Sequence, residues 1–211
     1  MKAADVPFVK NPDDRCVPAV IGMVLAYYMP DNQYGMAKLE ELCGYKKGEG
    51  TWKALSMLNL AKLGFQVHWI EDFNHDEFIN NPKDYLRSIL DDDSYDWQVQ
   101  HSNLELEASR IKQYKESGLP LETRQATNDD IKQFIDNGWL VHLEVNARVL
   151  SNKHGYEGHS ILVIGHDESG VTIHNPDGES GNKPYQHVTW EKLDKAWKEF
   201  GGSFSLYAFK K

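Results

Sequence analysis

The stretch from Pro18 to Tyr28 reads Pro-Ala-Val-Ile-Gly-Met-Val-Leu-Ala-Tyr-Tyr and is apolar on almost every side. A helix of that kind has no solvent face, so it belongs at the centre of a domain, buried all round. Pro18 suits its first turn, because the N–H that proline lacks has no intrahelical partner there. Pro30 ends it. Whatever this chain folds into must wrap around that helix. The stretch is too short for a membrane span, which needs roughly 20 apolar residues, and no other segment approaches that length. The opening Met1-Lys2-Ala3-Ala4-Asp5-Val6-Pro7 has no apolar secretory core, so the sequence reads as cytoplasmic.

The wrapping can be read in order. A second helix is expected over Met36 to Cys43, closed by Gly44. A third starts with Thr51 as N-cap, runs through Leu55, Leu58 and Lys62, and takes Gly64 as its cap. Phe65 to Ile70 then alternates as a strand. Residues 72–125 read as polar and helical, with candidates over Asp76–Ile79, Pro82–Leu90 and Leu104–Lys115, and suggest a helical insertion or lid. Thr127 caps a helix from Asp129 to Asn137. After Gly138 the pattern changes to strands: Trp139–Val145, His159–Gly165, Val171–His174 after a turn at Asp167–Gly170, and Ser203–Phe209. A helix from Trp190 to Phe200, capped by Thr189, precedes the last of these. Helices first and antiparallel strands afterwards define an α+β fold. The 211 residues, 40% of them hydrophobic, suffice for one sizeable core. Length alone allows one large domain or two small ones, and a single domain over 1–211 is the expectation adopted.

Two cysteines are too few for a disulfide framework. Cys43, in Leu42-Cys43-Gly44 at a helix end, reads as a small buried hydrophobe. Cys16 lies in Asp13-Asp14-Arg15-Cys16-Val17-Pro18, where the central helix begins. Unpaired N–H groups and the helix dipole favour a thiolate there, and Arg15 adds positive charge nearby. A thiolate nucleophile also needs a base. Of nine histidines, His159 stands at the mouth of an apolar strand, Ser160–Ile164, with Gly158 giving it room. It follows Cys16 by about 140 residues, inside the ~130–150 separation of papain-type enzymes. If the strands pair across Asp167–Gly170, Asn175 comes close to His159 and can fix its tautomer. Asp177 is the alternative orienter, and Asn175-Pro176-Asp177-Gly178 also reads as a plain turn.

These segments resemble the C39-like branch of the papain-like cysteine peptidases. The family's Asp-Cys-Gly-Pro-Ala segment reads here as Arg15-Cys16-Val17-Pro18-Ala19. Its His-strand-Gly segment followed by Asp-Pro reads as His159–Gly165 and Asn175-Pro176. The resemblance covers residues 6–70 and 127–209. It implies a papain-like fold, nucleophile Cys16, base His159 and orienter Asn175. Val17 replaces a glycine, and Asn175 replaces the aspartate usual in this branch. The family's oxyanion-hole glutamine falls at Lys10, so Asn11, one residue nearer to Cys16, is the expected side-chain donor beside the Cys16 N–H.

The net charge of −9 and the absence of a basic stripe argue against nucleic acid. A peptide or protein substrate is expected, with a basic one suited to the acidic surface. No His-x-x-x-His or Cys-x-x-Cys spacing marks a metal site, and no cofactor is expected. Three activities share the same first step: peptide hydrolysis, acyl transfer and deamidation. A binding protein on the same fold without turnover is the competing reading.

Overall fold

A computed structural model of the chain describes residues 3–177, 181–198 and 204–211. The apolar stretch forms α1 (Cys16–Tyr28), with Val20, Ile21, Met23, Val24 and Leu25 fully buried. Each such side chain stabilises the fold by about 2 kcal/mol relative to leaving it in water. That burial holds the helix, for Arg15 at its N-cap makes no side-chain cap. Helix α2 (Met36–Cys43) packs beside it, and α3 (Ala54–Lys62) packs on α2. Gly64, at φ 84°, takes the left-handed turn that closes α3. Thr51 is not the cap: α3 starts after Lys53, and Thr51 lends its carbonyl to the Lys53 ammonium instead.

The strands form one seven-stranded sheet, ordered β2-β1-β7-β3-β4-β5-β6. Its members are β1 (Gln66–Glu71), β2 (Leu121–Thr123), β3 (Leu140–Asn146), β4 (Gly158–His166), β5 (Gly170–Asn175), β6 (Lys183–Thr189) and β7 (Leu206–Lys210). Among the described strands only β1 and β2 run parallel. The last strand thus enters the middle of the sheet, between β1 and β3. The expected hairpin of β4 and β5 is present. At its turn, a Cβ on Gly170 would stand 2.1 Å from the Val188 carbonyl oxygen, so only glycine fits.

Alternation along the strands builds two cores. Leu140, Leu162, Ile164, Val67, Tyr207 and Phe209 join α1, α2 and α3 in the first. Val141, Leu143, Val145, Ile161, Val163 and Ile173 join α8 (Asn128–Asp136) and α10 (Trp190–Lys198) in the second. Thr127 caps α8 through a capping box with Asp130. The expected reach of α10 to Phe200, the strand start at Ser203 and the turn residue Gly178 lie outside the described residues.

The segment 72–125 is better integrated than its polarity suggests. It supplies α4 (His75–Asn80), α5 (Pro82–Ile89), α6 (Asp92–His101), α7 (Leu104–Glu116) and β2. Phe78, Tyr85, Leu86, Ala108, Ile111 and Tyr114 are buried in the first core beside the α1 residues. Of these helices α6 alone buries no residue. The short helix α9 (Ala147–Leu150) follows β3. No described helix is long and apolar enough to cross a membrane.

Candidate active site

The chain before α1 runs as a strap along the sheet. Ala4 N–H donates to Ile164, and the His174 ring donates to the Val6 carbonyl. The strap ends at Asn11, whose side-chain oxygen accepts from the N–H groups of Asp13 (3.1 Å) and Arg15 (2.9 Å). This bend delivers Cys16 as the first residue of α1. No acidic residue occupies the first turn. The N–H groups at Cys16 and Val17 have no intrahelical partner, which leaves the positive end of the dipole open at the sulfur.

His159 is the second residue of β4, opposite Val145 of β3. Asn175 ends β5. His159 Nε2 donates to Asn175 Oδ1 across 2.8 Å, since an amide oxygen only accepts. That bond commits Nε2 and leaves Nδ1 for the Cys16 thiol, whose interaction with the ring raises the imidazole's pKa. The Asn175 amide nitrogen in turn donates to Gln186 Oε1 of β6 at 3.0 Å, so the orienting group is itself held. His159 and Asn175 are buried, while Cys16 is partly open. The structure therefore brings together three residues drawn from a helix and two strands.

The electrostatics favour a thiolate and an imidazolium. Burial alone raises the Cys16 pKa. The His159 hydrogen bond and charge, the Lys53 charge and the Ser160 N–H outweigh it and pull the thiol below its ordinary value. Burial alone lowers the His159 pKa. The bond and charge of Cys16, the Asn175 oxygen and the Asp177 carboxylate reverse that and raise it. Asp177, buried close by, thus acts on the ring through its charge, while the hydrogen bond goes to Asn175.

Two sequence expectations meet different surroundings. Arg15 turns away from the sulfur: its guanidinium pairs with Glu40 and Asp14 and lies over the Tyr45 ring at 5.1 Å. The cation that acts on Cys16 in its stead is Lys53, which sequence reasoning missed. Its signal was present in the strand Leu140-Val141-His142-Leu143-Glu144-Val145, where a carboxylate sits in an apolar run and asks for a buried cation. Asn11 is buried, and its amide nitrogen donates to the Pro176 carbonyl at 2.9 Å. Its backbone is pinned on both sides by the Asn182 side chain. Lys10 is exposed. No cluster of three or more metal-ligating side chains forms among the described residues.

Comparison with known proteins gives the family and the fold. The model of the Peptidase_C39 like family matches residues 3–205. Among solved structures, a candidate C39-like peptidase from Bacillus anthracis superposes with TM-score 0.57 at 14% identity, covering 100% of this chain and 98% of that one. A double glycine motif protease from an AMS/PCAT transporter, solved in complex with the leader peptide, superposes with TM-score 0.51 at 12% identity, covering 100% and 94%. No curated protein matches.

Proposed function

Because the chain belongs to the Peptidase_C39 like family, we propose that it is a cysteine hydrolase cleaving peptide or amide bonds, with Cys16 as nucleophile, His159 as base and acid, and Asn175 as orienter. One observation carries this reading: His159 Nε2 is held by Asn175, and the His159 ring and the Cys16 thiol each pull the other toward the charged pair.

The Cys16 thiolate attacks the carbonyl carbon of the substrate. The carbonyl oxygen takes up the negative charge and meets the free N–H groups at the start of α1. Collapse of the adduct breaks the C–N bond, and His159 gives its proton to the departing amine. Neutral His159 then takes a proton from water, whose oxygen attacks the thioester. Acid is released, and the sulfur leaves as thiolate beside the recharged imidazolium. In this scheme Asn11 is a clasp between the strap and the Asn175–Asp177 segment, because one of its amide hydrogens is spent on Pro176. A peptide substrate agrees with the leader peptide bound by the second structural relative. The exposed carboxylates of Asp13 and Asp14 beside Cys16 suit a basic peptide.

Incubation with a peptide library, followed by mass analysis of the protein, tests the scheme. An acyl adduct on Cys16, absent from the Cys16→Ala variant, is expected. Cleavage that persists in Cys16→Ala would falsify it. A second reading, a peptide-binding protein without turnover, draws on Lys10 at the place of the family's glutamine. It predicts peptide retention with no adduct.

A further inference from the structure

A buried ion pair stands one rung of the sheet from His159 and has no part in the chemistry above. The side chains of Lys53 and Glu144 are 8% and 12% exposed and bonded to each other. Lys53 Nζ also donates to the Thr51 carbonyl at 2.9 Å. The other Glu144 oxygen accepts from the hydroxyls of Tyr207 at 3.0 Å and Ser205 at 3.4 Å. Taking two charges out of water is costly, and apolar side chains of equal volume commonly serve cohesion as well. The location of the pair is therefore what calls for a reason.

Glu144 lies opposite Ser160 in the β3–β4 register, and the neighbouring rung is Val145–His159. The Ser160 N–H is among the groups that lower the Cys16 pKa. The carboxylate is thus one rung from the catalytic pair, and it holds an ammonium whose field reaches that sulfur. Other titratable groups nearby are uncharged or already paired. Cys43 of α2 is buried, and burial keeps its thiol protonated. His142 of β3 is fully buried with neither ring nitrogen hydrogen-bonded, and burial keeps it neutral. Glu107 of α7 is bonded to Arg110. Asp177 faces His159. His159 and Lys53 are cationic side chains that favour a Cys16 thiolate.

We propose that Lys53, locked by Glu144, is a positioning residue of the cysteine site, setting a second positive charge beside the Cys16 sulfur and tying the start of α3 to β3 next to His159. The inference rests on the reading of Cys16 as nucleophile. Its advantage is chemical. His159 must give up and regain a proton in every turnover, whereas the locked ammonium is not asked to. It favours the thiolate before attack and again when the sulfur leaves the thioester.

Iodoacetamide labelling of Cys16 against pH, read by mass, tests this with Lys53→Met and Glu144→Gln, each checked for native fold by near-ultraviolet circular dichroism. Removing the cation should raise the labelling midpoint by about one pH unit. Removing the carboxylate charge, with Lys53 kept, should lower it. Lys53→Met should also cut kcat several-fold near pH 6 with little change in KM. A merely structural pair would not give midpoint shifts of opposite sign. Equal midpoints in wild type and both variants, or shifts of one sign, overturn the proposal. If Lys53→Met does not fold, the downward shift in Glu144→Gln decides alone. A wild-type midpoint at the ordinary thiol value of ~8.5 instead overturns the underlying site reading.

Discussion

The two cysteines lie at opposite kinds of helix end and have opposite properties. Cys16 opens α1, partly exposed, at the positive end of the dipole, with the His159 ring lowering its pKa. Cys43 closes α2, buried at the negative end, and burial pushes its thiol far up. Both belong to the same apolar core. A thiol's reactivity here is set by its partners, and the fold supplies them from distant stretches: a strand-mouth histidine, a helix-start lysine and a backbone N–H from β4. Cys43 has the hydrophobic surroundings without those partners and remains a packing residue.

The sharpest way to break the comparison is to remove each sulfur. Cys16→Ala should lower peptide cleavage by at least ~10³-fold, and Cys43→Ala should leave it within about twofold, as measured by product release. Removing the partner comes next. His159→Ala should slow Cys16 alkylation at pH 6 by about 100-fold, as its midpoint moves up toward ~8.5, while Cys43 labelling stays unchanged. The cleavage rate of the wild type should be bell-shaped in pH. Below the depressed Cys16 value the thiol is protonated and inert. Above the raised His159 value the imidazolium that protonates the leaving group is lost. The acid limb should therefore belong to Cys16 and the alkaline limb to His159.

Asn175→Ala should have a smaller effect, since the imidazole remains but loses its fixed tautomer. A loss of about tenfold in kcat/KM is expected. Smallest of all, Cys43→Ala should cost about 1 kcal/mol in a denaturant unfolding experiment, the price of a one-atom cavity in the first core.

Local patterns carried the legible part of this molecule. The all-round apolar run gave α1, the Gly170 turn gave the β4–β5 hairpin, and the hairpin placed Asn175 beside His159. The illegible parts depend on distant neighbours. Strand β6 pairs only with β5 at the sheet edge, and its Lys-Pro-Tyr-Gln start is largely exposed, so its sequence carries little apolar alternation. β2 is three residues long and owes its existence to β1. Helix α6 buries nothing and is held by its Asp91 cap and its neighbours. At the site, Asn11 is where the family resemblance puts an oxyanion donor in the sequence, yet its amide goes to Pro176, far along the chain. Lys53 and Glu144 meet across 91 residues of chain, and no spacing rule links them.

The central claim is that the fold makes Cys16 a paired thiolate and Cys43 an inert thiol. Competitive alkylation of the native protein at pH 6.5, with each cysteine quantified by mass, tests it directly. The account predicts Cys16 modified at least ~100-fold faster than Cys43, with that advantage abolished on denaturation. Equal, slow labelling of both until pH approaches ~8.5 would contradict it.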